Sequence, residues 1–191
     1  MKPPGLILIA ASTGGPQALH TVLSGLRGDL PAPVLVVQHI PPFFNSVMVD
    51  NLGPASKLRV KLAEDREYIQ AGTVYIAPGG RHMILDRQKR IGFDDSPPIF
   101  NIRPAADVLF WSVAEACPNG GVLAVILTGM GEDGAQGLTK IKRCLRCICI
   151  AQSRDTCVVY GMPRAVIECG LADFVLDIGC IAQKINALCV G

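Results

Sequence analysis

Apolar runs of strand length alternate along the chain with longer stretches in which apolar residues recur at helical spacing. Leu6-Ile7-Leu8-Ile9-Ala10-Ala11 and Val34-Leu35-Val36-Val37 carry no polar residue, the mark of strands buried on both faces. On this pattern strands are predicted at 6–11, 34–38, 121–128, 147–151 and 173–176, and helices over 16–26, 43–52, 104–116, 134–144, 163–169 and 179–188. Strand and helix in turn make an α/β fold, a doubly wound, mainly parallel sheet with helices on both faces. Between Thr73 and Asp94 the alternation breaks. Short runs at 73–77, 82–86 and 90–93, joined by Pro78-Gly79-Gly80 and a polar turn, predict a small antiparallel insertion on one edge of the sheet.

A length of 191 residues suits one well-buried domain and is short for two, so a single domain over 1–191 is expected. Half the residues are hydrophobic and 18% are charged, which leaves room for a substantial core. The net charge of +2 argues against nucleic-acid binding. Lys140, Lys142, Arg143 and Arg146 read as a solvated helix face, with an acidic partner surface as the sharper alternative. No apolar run approaches the roughly 20 residues of a membrane span, and the stretch from Gly5 to Ala11 runs into a serine turn instead of a signal cleavage site. A cytoplasmic protein without direct membrane insertion is therefore expected. The eight cysteines fall mostly in apolar segments and read as small core hydrophobes of a reducing compartment. Cys144 and Cys147 form a C-x-x-C with no second pair at zinc-site spacing, so no metal site is expected.

Three polar segments follow predicted strands, and in open α/β sheets the ligand crevice lies beyond the strands' carboxyl ends. Ser12 follows the first strand in Ala10-Ala11-Ser12-Thr13-Gly14-Gly15-Pro16, where glycines allow a sharp turn and Pro16 suits the first turn of a helix. That is the logic of a nucleophile elbow, although the first glycine of G-x-S-x-G is missing. A phosphate-binding turn or an N-cap serine reads equally well from this segment alone. His39, at the end of 34–38 and held by Pro41-Pro42, is the histidine best placed to act as a base, since His20 lies within a helix pattern and His82 within the insertion. A hydrogen-bonded structural histidine is its plainer reading. Asp133, among Gly129, Gly131 and Gly134, is preferred over the longer Glu132 as the group that orients an imidazole, against the alternative of a helix N-cap.

These residues lie in segments that closely resemble the catalytic domain of the CheB family. The matching segments are Ala11-Ser12-Thr13-Gly14-Gly15-Pro16, Gln38-His39-Ile40-Pro41, Val74-Tyr75-Ile76-Ala77-Pro78-Gly79, Arg103-Pro104-Ala105-Ala106-Asp107-Val108-Leu109-Phe110, Leu127-Thr128-Gly129-Met130-Gly131-Glu132-Asp133-Gly134-Ala135 and Val159-Tyr160-Gly161-Met162-Pro163. They occur in family order over nearly the whole chain. The resemblance implies a protein-glutamate methylesterase, also a protein-glutamine glutaminase, that hydrolyses glutamyl methyl esters on chemoreceptor helices through a serine acyl-enzyme. It implies Ser12 as nucleophile, His39 as base, Asp133 as orienting residue, and Thr13 and Met130 at the oxyanion or substrate pocket, with no cofactor or metal. The partners it implies are methylated chemoreceptor helices and, in a longer native chain, a receiver domain, for which the motif beginning at Ser12 leaves no room here. Ala10 stands where the family usually has glycine, and Ala151-Gln152-Ser153-Arg154-Asp155-Thr156 replaces a more acidic pattern. A catalytically weak receptor-binding module and a general small-ester hydrolase are the alternatives.

Overall fold

The computed structural model describes residues 3–116 and 121–189. The first strand, β1 (Leu6–Ala11), is buried along its whole length. Fully burying a side chain such as Ile7, Leu8 or Ile9 contributes roughly 1.5–3 kcal/mol, and the strand carries no polar residue before Ser12. β1 pairs in parallel with β2 (Val34–Gln38) on one side and with β7 (Gly121–Ile126) on the other. With β3 (Arg59–Leu62), β4 (Thr73–Ile76), β8 (Arg146–Gln152) and β9 (Phe174–Leu176), the sheet has seven strands in the order β3-β4-β2-β1-β7-β8-β9. Every pairing in it is parallel. The chain builds outward from β1 through β2, then returns to β1's other side with β7, so the order reverses at β1. A ligand crevice is expected beyond that point.

Because side chains alternate across a strand, β1 feeds two cores. Leu6, Leu8 and Ala10 face α3 (Ala106–Ala116), α4 (Ala135–Cys144) and α5 (Gly161–Glu168) through Phe110, Leu138 and Met162. Ile7, Ile9 and Ala11 face α1 (Gly15–Ser24), α2 (Asn45–Leu52) and α6 (Ile178–Cys189) through Leu19, Leu52 and Ile181. Phe43 and Phe44, expected to open the second helix, lie instead in a separate 3-10 turn, Pro42–Phe44, ahead of α2.

The antiparallel insertion is smaller than the sequence pattern predicts. β5 (His82–Leu85) and β6 (Ile91–Asp94) form a two-stranded hairpin of their own, off the main sheet and joined to α3 by a hydrogen bond from the Leu85 N–H to Ser112 Oγ (3.0 Å). Residues 73–77 do not belong to it. Thr73–Ile76 is buried at every position and lies in the main sheet parallel to β2, the environment that selects continuous apolar runs. The unanticipated β3 covers the edge, where Arg59 and Lys61 alternate with Val60 and Leu62.

Candidate active site

At the end of β1 the Ser12 N–H donates to the Thr128 carbonyl (3.0 Å), and the Ser12 carbonyl accepts the Gly15 N–H (2.8 Å), which closes a tight turn into α1. Gly14, at the cap of α1, has φ +80, and a Cβ there would stand 2.6 Å from the Val158 side chain. Glycine is thus required by conformation and by space. No side chain caps α1, so Ser12 is not an N-cap. Ser12 is half-buried, its Oγ makes no hydrogen bond with the described residues, and its Cβ lies over the backbone of Gly129, where an added Cβ would come within 2.7 Å of it.

His39 leaves β2 at the level of Ser12, since Ala11 pairs with Gln38 and the His39 N–H donates to the Ala11 carbonyl (3.1 Å). Its Nε2 lies 2.6 Å from Asp133 Oδ2. Asp133 is 3% exposed, and its carboxylate also accepts the N–H groups of Ala106 at Oδ2 (2.6 Å) and Asp107 at Oδ1 (2.9 Å). Burial pushes this carboxyl up, but the hydrogen bonds from His39, Ala106 and Asp107 outweigh it and hold Asp133 below the usual carboxylate range. Asp133 therefore stays ionised and can only accept from Nε2, so in a neutral imidazole the lone pair lies on Nδ1. The helix whose first turn it serves is α3, and the cap position of its own α4 is Gly134. Glu132 is exposed, as is His20. His82 is fully buried and structural: its Nδ1 accepts the Ala105 N–H (3.1 Å), bracing the residue before Ala106.

Asp107, on α3, in turn accepts the Gly137 N–H of α4 (2.7 Å). Each helix thus receives a carboxylate from the neighbourhood of the other. Burial, opposed by the Gly137 N–H and reinforced by the charge of Asp133, pushes the Asp107 carboxyl up to about 6. A carboxyl raised in the folded state binds its proton more tightly there than in the unfolded chain, so its contribution to stability is present below about pH 4 and is lost as pH rises through about 6. Asp107→Asn should then match the parent near pH 4 and exceed it above pH 6 by about 1–3 kcal/mol. Urea midpoints at the two pH values measure this, and an equal offset at both would contradict it.

Sequence reasoning missed three buried polar residues that tie the loops together. Gln38, Thr128 and Gln152 are each 2% exposed or less, and all sit at or just beyond the carboxyl ends of β2, β7 and β8. Gln152 Oε1 accepts the Thr128 N–H (2.8 Å), while Thr128 Oγ1 donates to the Thr13 carbonyl (2.9 Å) and accepts the N–H groups of Val158 (3.1 Å) and Val159 (2.9 Å). The signal that would have found them is a polar residue closing an apolar strand. Thr13 and Met130 are both exposed, and their N–H groups have no acceptor among the described residues. A groove of about 920 Å³ is lined by Met130, Glu132, Arg154, Tyr160 and Arg164, and neither Ser12 nor His39 lines it.

The remaining sequence candidates lie elsewhere. Lys140 pairs with Glu115 (2.5 Å) and Lys142 with Asp173 (2.6 Å), as on a solvated face. Cys149 and Cys189 are buried, but Cys144, Cys169 and Cys180 are exposed, so the core reading holds for only part of the set. Among the described residues no cluster of potential metal ligands is found, and no helix is long and apolar enough to cross a membrane.

A family model described as CheB methylesterase matches residues 7–185. A protein-glutamate methylesterase/protein-glutamine glutaminase of Symbiobacterium thermophilum is 46% identical over 184 residues, covering 96% of this chain and 50% of that protein. The relative of the same description from Thermotoga maritima is 44% identical over 186 residues, covering 96% and 54%. The chain spans about half the length of these curated relatives. It is also similar to the crystal structure of the Thermotoga maritima CheB methylesterase catalytic domain, at 42% identity and a TM-score of 0.91, covering 97% of this chain and 98% of that one. With its sequence matched from residue 7 to residue 185 and its fold matched across nearly the whole chain, the protein belongs to the CheB methylesterase family.

Proposed function

We propose that this chain is the catalytic part of a protein-glutamate methylesterase, in which Ser12 is the nucleophile, His39 the general base and Asp133 the carboxylate that orients it. The observation that carries this reading is the 2.6 Å bond from His39 Nε2 to Asp133, level with a serine whose hydroxyl has no partner among the described residues. Oγ of Ser12 attacks the carbonyl carbon of a glutamyl methyl ester while Nδ1 of His39 takes its proton. The free N–H groups of Thr13 and Met130 are the donors available to the oxyanion. When the tetrahedral intermediate collapses, the bond to the methoxy oxygen breaks and methanol leaves with the proton from His39. Water, deprotonated by the same imidazole, then hydrolyses the acyl-enzyme to glutamate. Glutamine, by the same route, releases ammonia.

The surroundings favour a helical protein substrate over a small ester. Exposed apolar side chains border the site: Phe43 and Phe44 follow the His39 turn, Met130 adjoins Gly129, and Val158 packs against Gly14. Such a rim around a polar centre fits one face of an amphipathic helix, which a free ester is too small to reach. Membranes bearing chemoreceptors with labelled methyl groups on glutamate should release labelled methanol on incubation with the chain. Hydrolysis of small esters without release from receptors would leave a general esterase. A chain that takes no serine-reactive phosphonate label would leave a binding module.

A further inference from the structure

β2 ends in Gln38, which is 2% exposed at the close of an otherwise apolar strand. Its side-chain nitrogen donates to the carbonyls of Ser12 (2.9 Å) and His39 (3.1 Å). Its Oε1 accepts nothing, and among the described residues it is the one buried side-chain N or O atom without a partner. The opposite amide orientation would set an oxygen against two carbonyl oxygens, so the chemistry fixes which end donates. Gly15 makes the space for that oxygen: a Cβ there would stand 1.8 Å from it. The last backbone bond between β1 and β2 runs from the His39 N–H to the Ala11 carbonyl, and none joins Ser12 to His39. The Gln38 amide extends the pairing one step past the end of the sheet.

A buried amide oxygen left without a donor is destabilising, and a methionine of similar reach would avoid it. What the amide gives in return is the pair of bonds from its nitrogen to the Ser12 and His39 carbonyls, which a methionine would leave without those donors. We propose that Gln38 is a positioning residue, whose amide fixes the distance between the Ser12 and His39 main chains and so sets how closely the hydroxyl can approach the imidazole. The inference rests on the roles proposed above for Ser12 and His39. Misplacing reacting groups by about an ångström can cost about a hundredfold in rate, which sets the size of the expected effect.

Gln38→Met removes both donors at similar volume. Active sites are counted by titration with a fluorophosphonate, and kcat and KM on a small model ester are then expressed per titrated site. We expect kcat per titrated site to fall by about 10–100-fold with KM within about twofold of the parent and the circular dichroism spectrum unchanged. A merely structural role would lower the titratable fraction and leave kcat per site alone, and a value within about twofold of the parent overturns the proposal. Gly15→Ala is the second variant, because its Cβ takes the place of Oε1 and displaces the amide. It should show a similar fall, and parental turnover overturns the proposal likewise. If neither variant folds, NMR of the parent decides: the assigned Gln38 side-chain N–H₂ pair must be protected from exchange and must shift when Ser12 is phosphonylated, and an unprotected or unshifted pair refutes the role. A parent chain that takes no label contradicts the proposed esterase itself, whereas a labelled, active parent with unaffected variants contradicts the Gln38 role alone.

Discussion

Replacing Ser12 with alanine should lower ester hydrolysis by about three to six orders of magnitude and abolish phosphonate labelling, with the fold intact. In the proposed mechanism the hydroxyl is the attacking atom, so what remains is the catalysis given by the oxyanion donors and by substrate binding. Stability should be nearly unchanged, because Ser12 Oγ makes no hydrogen bond with the described residues and its removal leaves no orphaned partner. His39→Ala should be about as severe, and the double variant no worse than either single one, since the two act as one unit. Model-ester kinetics and thermal unfolding of the three variants check this. Turnover by Ser12→Ala within about tenfold of the parent would remove the mechanism.

Asp133→Ala should be harmful in two measurable ways at once. The carboxylate accepts hydrogen bonds from His39 and from two buried N–H groups, those of Ala106 and Asp107. Each buried N–H left without an acceptor costs about 1–3 kcal/mol, so the variant should be destabilised by about 2–5 kcal/mol in urea unfolding. Without the acceptor at Nε2 the imidazole loses its tautomer and its orientation, and activity should fall by about three to four orders of magnitude. Asp133→Asn should be milder in both. An amide that keeps its oxygen at the Oδ2 position still accepts from His39 and Ala106 and fails only Asp107. A full-strength alanine effect on rate with unchanged stability would contradict this dual bonding.

Much of the candidate site was legible because of where polarity interrupts burial. Ser12, His39 and Asp133 each follow an apolar run, and the parallel sheet brings those strand ends together. Gln38, Thr128 and Gln152 carry the same positional signal but were given no role. Amides and hydroxyls are ordinary strand-end residues, and only their long-range bonds give them a role. Thr73–Ile76 was assigned to the hairpin because a short β-branched and aromatic run suits either environment until the neighbour is known, and that neighbour, β2, lies far upstream in sequence. The charged alternation of Arg59–Leu62 hid an edge strand. Asp133 was weighed as a cap for the helix that follows it, whereas the N–H groups it receives lie 26 and 27 residues earlier in the chain. Local pattern points to a capping residue but not to the helix that uses it.

The exchange of carboxylates between α3 and α4 ties one member of the site to folding and leaves another free of it. Asp133 holds the first turn of α3 whether or not a substrate ever arrives, and Ser12 Oγ bonds to nothing among the described residues. In a lineage relieved of its esterase duty, drift would erase the serine first, while the aspartate would persist under selection for a folded chain. A surviving aspartate at this place is therefore poor testimony that a related protein still cleaves esters, and a surviving serine is good testimony.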